Sequence, residues 1–272
     1  MNKFFFFVFV FFLNTPMTKV LGQKHGDVSL SFGPAFTVGK FASTDLSNNA
    51  SGFANLGTSL SLSYFYPLSK NWKFIVNASG QRNPINTNAF ETIFSTAKIY
   101  QGFTIGSDPF NPPSQTNYAI YPNWHFDKKS WLMGAFQIGV FKQFIISGQN
   151  KISPTIRTTI GAAFVSSPLL KGSCVTDTAS AYIEQSKSSG LGLIFSIGGG
   201  IKYSMTKRIA LLTNMEYCRT SDIQLKDIKT TLTTTNGIAG SANYAIQQTS
   251  STKNGDQIIS SLNLSFGISI AL

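Results

Sequence analysis

Bulky apolar residues alternate with glycine, serine, alanine and threonine along most of this chain, and a period of two is the period of a β-strand. Val28, Leu30, Phe32, Phe36 and Val38 fall on one face of the first segment, with Ser29, Ser31, Gly33, Ala35, Thr37 and Gly39 on the other. Leu56, Leu60, Leu62, Tyr64 and Tyr66 then stand against Gly57, Ser59, Ser61 and Ser63, and the turn Pro67-Leu68-Ser69-Lys70-Asn71 leads into Trp72, Phe74, Val76 and Ala78. The pattern returns around Leu132, Ile156, Leu191, Ile209 and Leu262. It predicts eight strands, near 28–40, 54–66, 72–82, 131–146, 153–165, 190–203, 208–218 and 258–272.

The charge content says which surroundings such strands require. Charged residues make up 12% of the chain, about half the share of roughly 25% in soluble proteins. The eight predicted strands hold 8 charges in 106 residues. A water-soluble barrel needs a charged outer face, and these strands place only three charges there, Lys40, Arg82 and Lys142. Their small residues suit the cramped interior of an eight-strand tube, which leaves lipid as the medium for the large ones. No apolar run after residue 13 approaches the roughly 18 residues of a spanning helix. Strands of 11 to 16 residues, at about 3.3 Å each and tilted about 45°, cover roughly 25–37 Å, the depth of the hydrocarbon layer.

The connections alternate in length. Those near 67–71, 147–152 and 204–207 are short, and those near 41–53, 83–130, 166–189 and 219–257 are long. This is the asymmetry of short periplasmic turns and long extracellular loops. The expected fold is all-β, an eight-stranded antiparallel transmembrane up-and-down barrel. A hairpin hidden in 83–130 would make ten strands, although Pro109, Pro112, Pro113 and Pro122 oppose regular strands through most of that stretch. Gly, Ser, Thr and Asn enrichment reads the long connections as mobile surface segments.

Parity assigns each strand residue to lipid or lumen. Lys40, Arg82 and Lys142 fall on the apolar face, the first two at strand ends and the third four residues from one. A charge there costs about 0–1 kcal/mol, against about 2–4 at the midplane. Tyr64, Tyr66, Trp72 and Tyr203 gather beside turns as an interfacial girdle does. Lys73, Asn77, Gln137, Arg157, Lys202, Asn214 and Glu216 fall on the lumen face. They read either as a polar path through the barrel or as a hydrogen-bonded plug, and the narrow bore of eight strands favours the plug.

The chain opens with Met1-Asn2-Lys3 and an apolar run from Phe4 to Leu13, followed by a polar stretch ending Val20-Leu21-Gly22-Gln23. That order predicts a signal peptide over 1–22, cut after Gly22, with the barrel filling 23–272. Cys174 and Cys218 lack CxxC spacing and both fall toward the extracellular end. In an oxidising compartment they read as a disulfide or as two separate thiols.

The net charge is +11, with the Lys and Arg residues scattered. No nucleic-acid recognition motif accompanies it, and the charge suits anionic lipid and lipopolysaccharide phosphate as partners. The two histidines, His25 and His125, belong to no ligand cluster, so neither metal nor cofactor is expected. His125 with Asp127 and Asp108 is the one grouping that a hydrolase or acyltransferase could use. Gly198-Gly199-Gly200 lacks the Lys-Ser/Thr of a phosphate loop and reads as glycine facing a narrow lumen or easing strand curvature.

Gly33-Pro34-Ala35-Phe36-Thr37-Val38-Gly39-Lys40-Phe41-Ala42, Gly52-Phe53-Ala54-Asn55-Leu56-Gly57, Tyr66-Pro67-Leu68, Gly198-Gly199-Gly200-Ile201-Lys202-Tyr203 and Ser261-Leu262-Asn263-Leu264-Ser265-Phe266-Gly267-Ile268 together resemble the bacterial outer-membrane β-barrel family, in its small, porin-like, OmpA/OmpX-type members. The resemblance implies residence in the outer membrane, delivery by the barrel-assembly machinery and no shared catalytic residues. The expected role is structural or surface-binding, through long loops that meet an extracellular ligand. A narrow channel for small solutes and an outer-membrane hydrolase or acyltransferase are the alternatives. Amino-terminal sequencing of the membrane-resident protein is expected to read Gln23 first.

Overall fold

The computed structural model describes residues 26–45, 48, 50–100, 118–146, 151–176, 179–236 and 245–272. In chain order the elements are β1 (Asp27–Thr37), a 3-10 turn (Gly39–Phe41), β2 (Gly57–Pro67), β3 (Trp72–Pro84), α1 (Thr87–Thr96), β4 (Lys98–Tyr100), β5 (Tyr118–Ile120) and β6 (His125–Phe126). They continue with β7 (Ser130–Gln143), β8 (Ile152–Ser166), β9 (Leu170–Val175), β10 (Ala179–Gln185), β11 (Ser189–Ser204), β12 (Ile209–Thr220), β13 (Ile223–Asn236), β14 (Ala245–Gln257) and β15 (Ser260–Ala271).

Eight of these strands close a barrel in the order β1-β15-β12-β11-β8-β7-β3-β2. Every pairing is antiparallel, and the seam joins β1 to β15 from Asp27↔Ala271 to Thr37↔Ser261. The ring contains eight strands rather than ten. The long stretch between β3 and β7 supplies α1, the isolated pair β4–β5 and the two-residue β6, and none of them enters the ring.

Alternation decides which atoms meet which medium. Leu30, Phe32, Leu60, Phe136, Ile160, Phe195, Met215 and Phe266 all point out of the barrel and lie exposed. Their in-strand neighbours Ser31, Ala35, Ser63, Thr159, Ser196 and Ser265 are buried inside it. Ile160 is 55% exposed while Ala163, three residues on and facing inward, is 0% exposed. In water such an apolar belt would be a severe liability; in hydrocarbon it is the lowest-energy arrangement.

The barrel has a turn end and a loop end. At the loop end the wall runs on past the ring. Two residues separate β12 from β13 and two separate β14 from β15, while β8 leads to β9 and β10 to β11 after three. The extensions form a five-stranded sheet in the order β14-β13-β10-β9-β6. Its inner face meets an aromatic core in which Phe53 stacks on Phe90 at 4.2 Å between ring centres and Phe94 packs on Trp124 at 5.4 Å. Ala181, Ile183, Leu232 and Cys174 belong to the same cluster. Trp131 anchors the first long connection by donating its indole N–H to the Gly52 carbonyl at 2.8 Å.

The described parts of the long connections are therefore a folded lobe, not the mobile segments expected from composition. The run Lys229-Thr230-Thr231-Leu232-Thr233-Thr234-Thr235 is polar in content but β-branched in shape, and β-branched residues fit a pleated surface. Lys40 also departs from its expected strand end, since it lies in the 3-10 turn after β1.

Replacing outward-facing Ile160 by Lys, in the middle of β8, is expected to lower barrel stability by about 2–4 kcal/mol, measured by denaturant unfolding in vesicles.

Candidate functional site

The lumen is bridged by side chains at three levels. At the turn end Lys73 of β3 and Lys202 of β11 both donate to the Asp27 carboxylate of β1, Lys202 at 2.8 Å. Phe65, Ile75 and Phe141 also point inward here and are buried, with the two phenyl rings edge to face at 4.8 Å. This apolar wedge departs from a lumen filled only by small residues. One strand pair supplies Phe65 and Ile75, and β7 brings Phe141 across to them.

In the middle a hydrogen-bonded chain crosses six of the eight strands. Ser63 donates to Asn77 Oδ1 at 2.8 Å, Asn77 Nδ2 to Gln137 Oε1 at 3.0 Å, Gln137 Nε2 to Ser196 Oγ at 3.1 Å, and Ser196 Oγ to Glu216 Oε1 at 2.8 Å. Thr159 shares the Ser196 hydroxyl at 2.5 Å. Arg157 closes the chain with an ion pair to Glu216. Burying such charges is tolerable because each has an opposite partner within reach.

Glycine makes that pair possible. Arg157, Gly198 and Glu216 occupy one row across β8, β11 and β12. A side chain on Gly198 would stand 2.9 Å from the Cβ of Glu216, so its absence lets the guanidinium and carboxylate meet over bare backbone. Two residues on, the buried Asn214 places its amide oxygen where a Gly200 side chain would be. Near the loop end Gln81 donates to Asn83 Oδ1 at 2.7 Å and accepts from Ser261 at 3.0 Å, tying β3 to β15. A cavity of about 20 Å³ remains between the middle and upper levels, room for about one water. The unpartnered Arg157 Nε and Asn263 Oδ1 belong to residues that line it.

Lys73, Asn77, Gln137, Arg157, Lys202, Asn214 and Glu216 thus all lie inside the barrel, six through the bonds just described and Asn214 against Gly200. Asp27 completes the lower level, and an alternation that starts at Val28 leaves it out. Its parity with Ser29 and Ser31 puts it on the lumen side all the same.

Cys174 and Cys218 are separate free thiols, which corrects the disulfide reading. Cys174 sits on β9 and donates to the Pro122 carbonyl; burial pushes its thiol above the ordinary range. Cys218 points into the lumen from β12 beside Asn263.

His125 does not assemble a nucleophile site with Asp127. Its Nδ1 lies 3.6 Å from Glu91 Oε1 on a ring that is 79% exposed, and Asp127 pairs with Lys129 at 3.7 Å. Asp108, His25, the leader and the Gly22 cut lie outside the described residues. Among the described residues no group of three or more His, Cys, Asp or Glu side chains converges on a metal position.

The outer face of the lobe sheet forms a second candidate site. His125, Ser173, Tyr182, Thr233 and Gln248 occupy one row across all five strands. Tyr182, Glu184, Ser186, Lys229, Thr231, Thr233 and Gln248 border a hollow of about 350 Å³, within the range of small-ligand pockets. Hydroxyl and amide groups dominate it, and Tyr182 offers a half-exposed ring.

Removing the Glu216 carboxylate in Glu216→Ala leaves Arg157 buried without its counter-charge, an expected loss of about 3–5 kcal/mol. Denaturant unfolding in detergent micelles measures it, and the double variant Arg157→Met/Glu216→Met is expected to recover most of the loss.

No family model matches the chain, and none of the curated proteins does. Among solved structures, similar ones include Neisserial surface protein A, 12% identical with 91% of this chain and 97% of that chain covered and a TM-score of 0.41. A major outer membrane protein from Thermus thermophilus is 11% identical over 91% of this chain and 99% of that chain, with a TM-score of 0.40. Ail, the attachment invasion locus protein of Yersinia pestis, is 12% identical over 90% of this chain and 99% of that chain, with a TM-score of 0.38. With its own ring of eight antiparallel strands and its belt of outward apolar side chains, the chain has the fold of a small eight-stranded transmembrane β-barrel.

Proposed function

We propose that this chain is a resident of the bacterial outer membrane, exported by a leader cut after Gly22, and that its barrel is a closed support for a folded extracellular lobe that binds other molecules. The observation that carries the reading is the packing of the lumen. Polar and apolar side chains bridge the bore at three levels, from Asp27 at the turn end to Gln81 near the loop end. A tube filled in this way passes no solute, so its use lies in what it holds above the membrane. The lobe is rigid where a binding surface needs rigidity. Its sheet grows directly from the barrel wall, and α1 and the aromatic core back it.

The contact surface in this reading is the row from His125 to Gln248 with the hollow beside Tyr182, whose hydroxyl, amide and single aromatic groups suit a polar extracellular ligand. Lipopolysaccharide and the barrel-assembly machinery are the other partners we assign to it.

Planar-bilayer recording tests the proposal. The purified barrel is expected to insert without unitary conductance steps, and stable steps from the wild-type protein would return the narrow-channel reading.

A further inference from the structure

We propose that the turn end of the barrel binds anionic phospholipid headgroups of the adjoining leaflet through one arc of five cations: Lys70, Lys142, Lys151, Lys207 and Arg208. The inference rests on the outer-membrane reading above and adds a lipid class and a place to it.

The arc is contiguous. Lys70 lies in the turn joining β2 to β3, Lys142 near the end of β7, Lys151 just before β8, and Lys207 and Arg208 in the turn joining β11 to β12. In the ring, β3, β7, β8, β11 and β12 are successive neighbours. Four of the five side chains are exposed. Lys142 is half-buried because its ammonium lies 4.9 Å from the centre of the Trp72 ring and 5.0 Å from that of Phe144. Those rings fix it at the height where lipid tails give way to headgroups.

No Asp or Glu lies in the turns that carry or adjoin these charges, 68–71, 144–151 and 205–208. The nearby acid, Asp27, is turned into the lumen and held there by Lys73 and Lys202. None of the five cations forms an ion pair among the described residues. The opposite end differs, since it mixes both signs and pairs Lys129 with Asp127 at 3.7 Å and Lys171 with Glu184 at 3.3 Å.

The apolar surroundings choose the source of the anion. Leu68, Trp72, Phe144, Ile145, Ile146, Ile152 and Met205 are all exposed around the arc. A ligand that satisfies both sets of groups carries a phosphate anion above acyl chains, as phosphatidylglycerol and cardiolipin do. A free phosphate or a sugar polymer would leave the apolar half unmatched. Clustered basic residues beside a membrane are a recognised basis for selecting such lipids.

The test is native mass spectrometry of the purified, folded protein in micelles containing equal phosphatidylglycerol and phosphatidylcholine. Retention of phosphatidylglycerol over phosphatidylcholine by about fivefold or more is expected. K142Q/K151Q/K207Q/R208Q is expected to lose that preference, and K40Q/R82Q, at the other rim, to keep it. Should the fourfold variant fail to fold, K151E/K207E, both in exposed turns, carries the same expectation. Equal retention of the two lipids by wild-type barrel that shows heat-modifiable gel mobility overturns the inference alone, as does retention of peptidoglycan fragments without a lipid preference. Wild-type protein with no heat-modifiable form overturns the membrane reading and this inference with it.

Discussion

A backbone amide in hydrocarbon has no water to turn to, and that constraint organises the rest of the molecule. A sheet can satisfy it only by pairing every strand on both sides, which means closing on itself. With eight strands the ring is narrow, and its bore has to be filled by the same strands that present a greasy exterior. Alternation performs both tasks at once: Phe136 and Ile138 meet lipid while Gln137 between them spans the interior.

The interior is as demanding as the exterior. Polar groups there are shielded from bulk water, and each needs a partner. The chain meets this with small residues wherever a long side chain must cross. Gly198 is bare so that Arg157 and Glu216 can touch, and Gly200 is bare under Asn214. Ser196 acts as a short relay between the Gln137 amide and the Glu216 carboxylate, and Ser63 ends the chain on Asn77. The glycine triplet at 198–200 is thus accounted for by its neighbours on adjacent strands. Gly199, which faces outward, is less crowded: a Cβ there would stand 3.3 Å from the Thr155 carbonyl oxygen, where the other two would meet backbone oxygens at 2.5 and 2.0 Å.

Much of this was legible in the order of the residues. Strand number, the approximate place of each strand and the division between lipid and lumen follow from a period-two pattern sustained over eight segments, because the pleat has the same period; individual ends differ by up to three residues, as at Thr37, Gly57 and Gln143. The folded lobe was not legible. Its strands are rich in Thr, Ser and Gln, and polar content hid the β-branched character of residues 229–235. Helix α1 left a readable trace, with Asn86 capping Ala89 and apolar Ala89, Phe90, Ile93 and Phe94 spaced for one face. The prolines further along the same connection oppose strands and carry no signal for a helix at Thr87–Thr96. The inward wedge of Phe65, Ile75 and Phe141 has the right parity, but only the pairing of β3 with β7 shows that β7 carries Phe141 to the other two.

The seam between β1 and β15 has a consequence for biogenesis. It weds the earliest and latest wall segments of the polypeptide, so circular closure awaits the final strand. Until then both boundary strands present unsatisfied edges, and bringing them together from opposite ends of the sequence carries a large loop-closure entropy. The wall of such a chain stays open until its last segment pairs with its first. Closure is thereby all-or-none at this point, since without β15 both β1 and β12 keep an open edge.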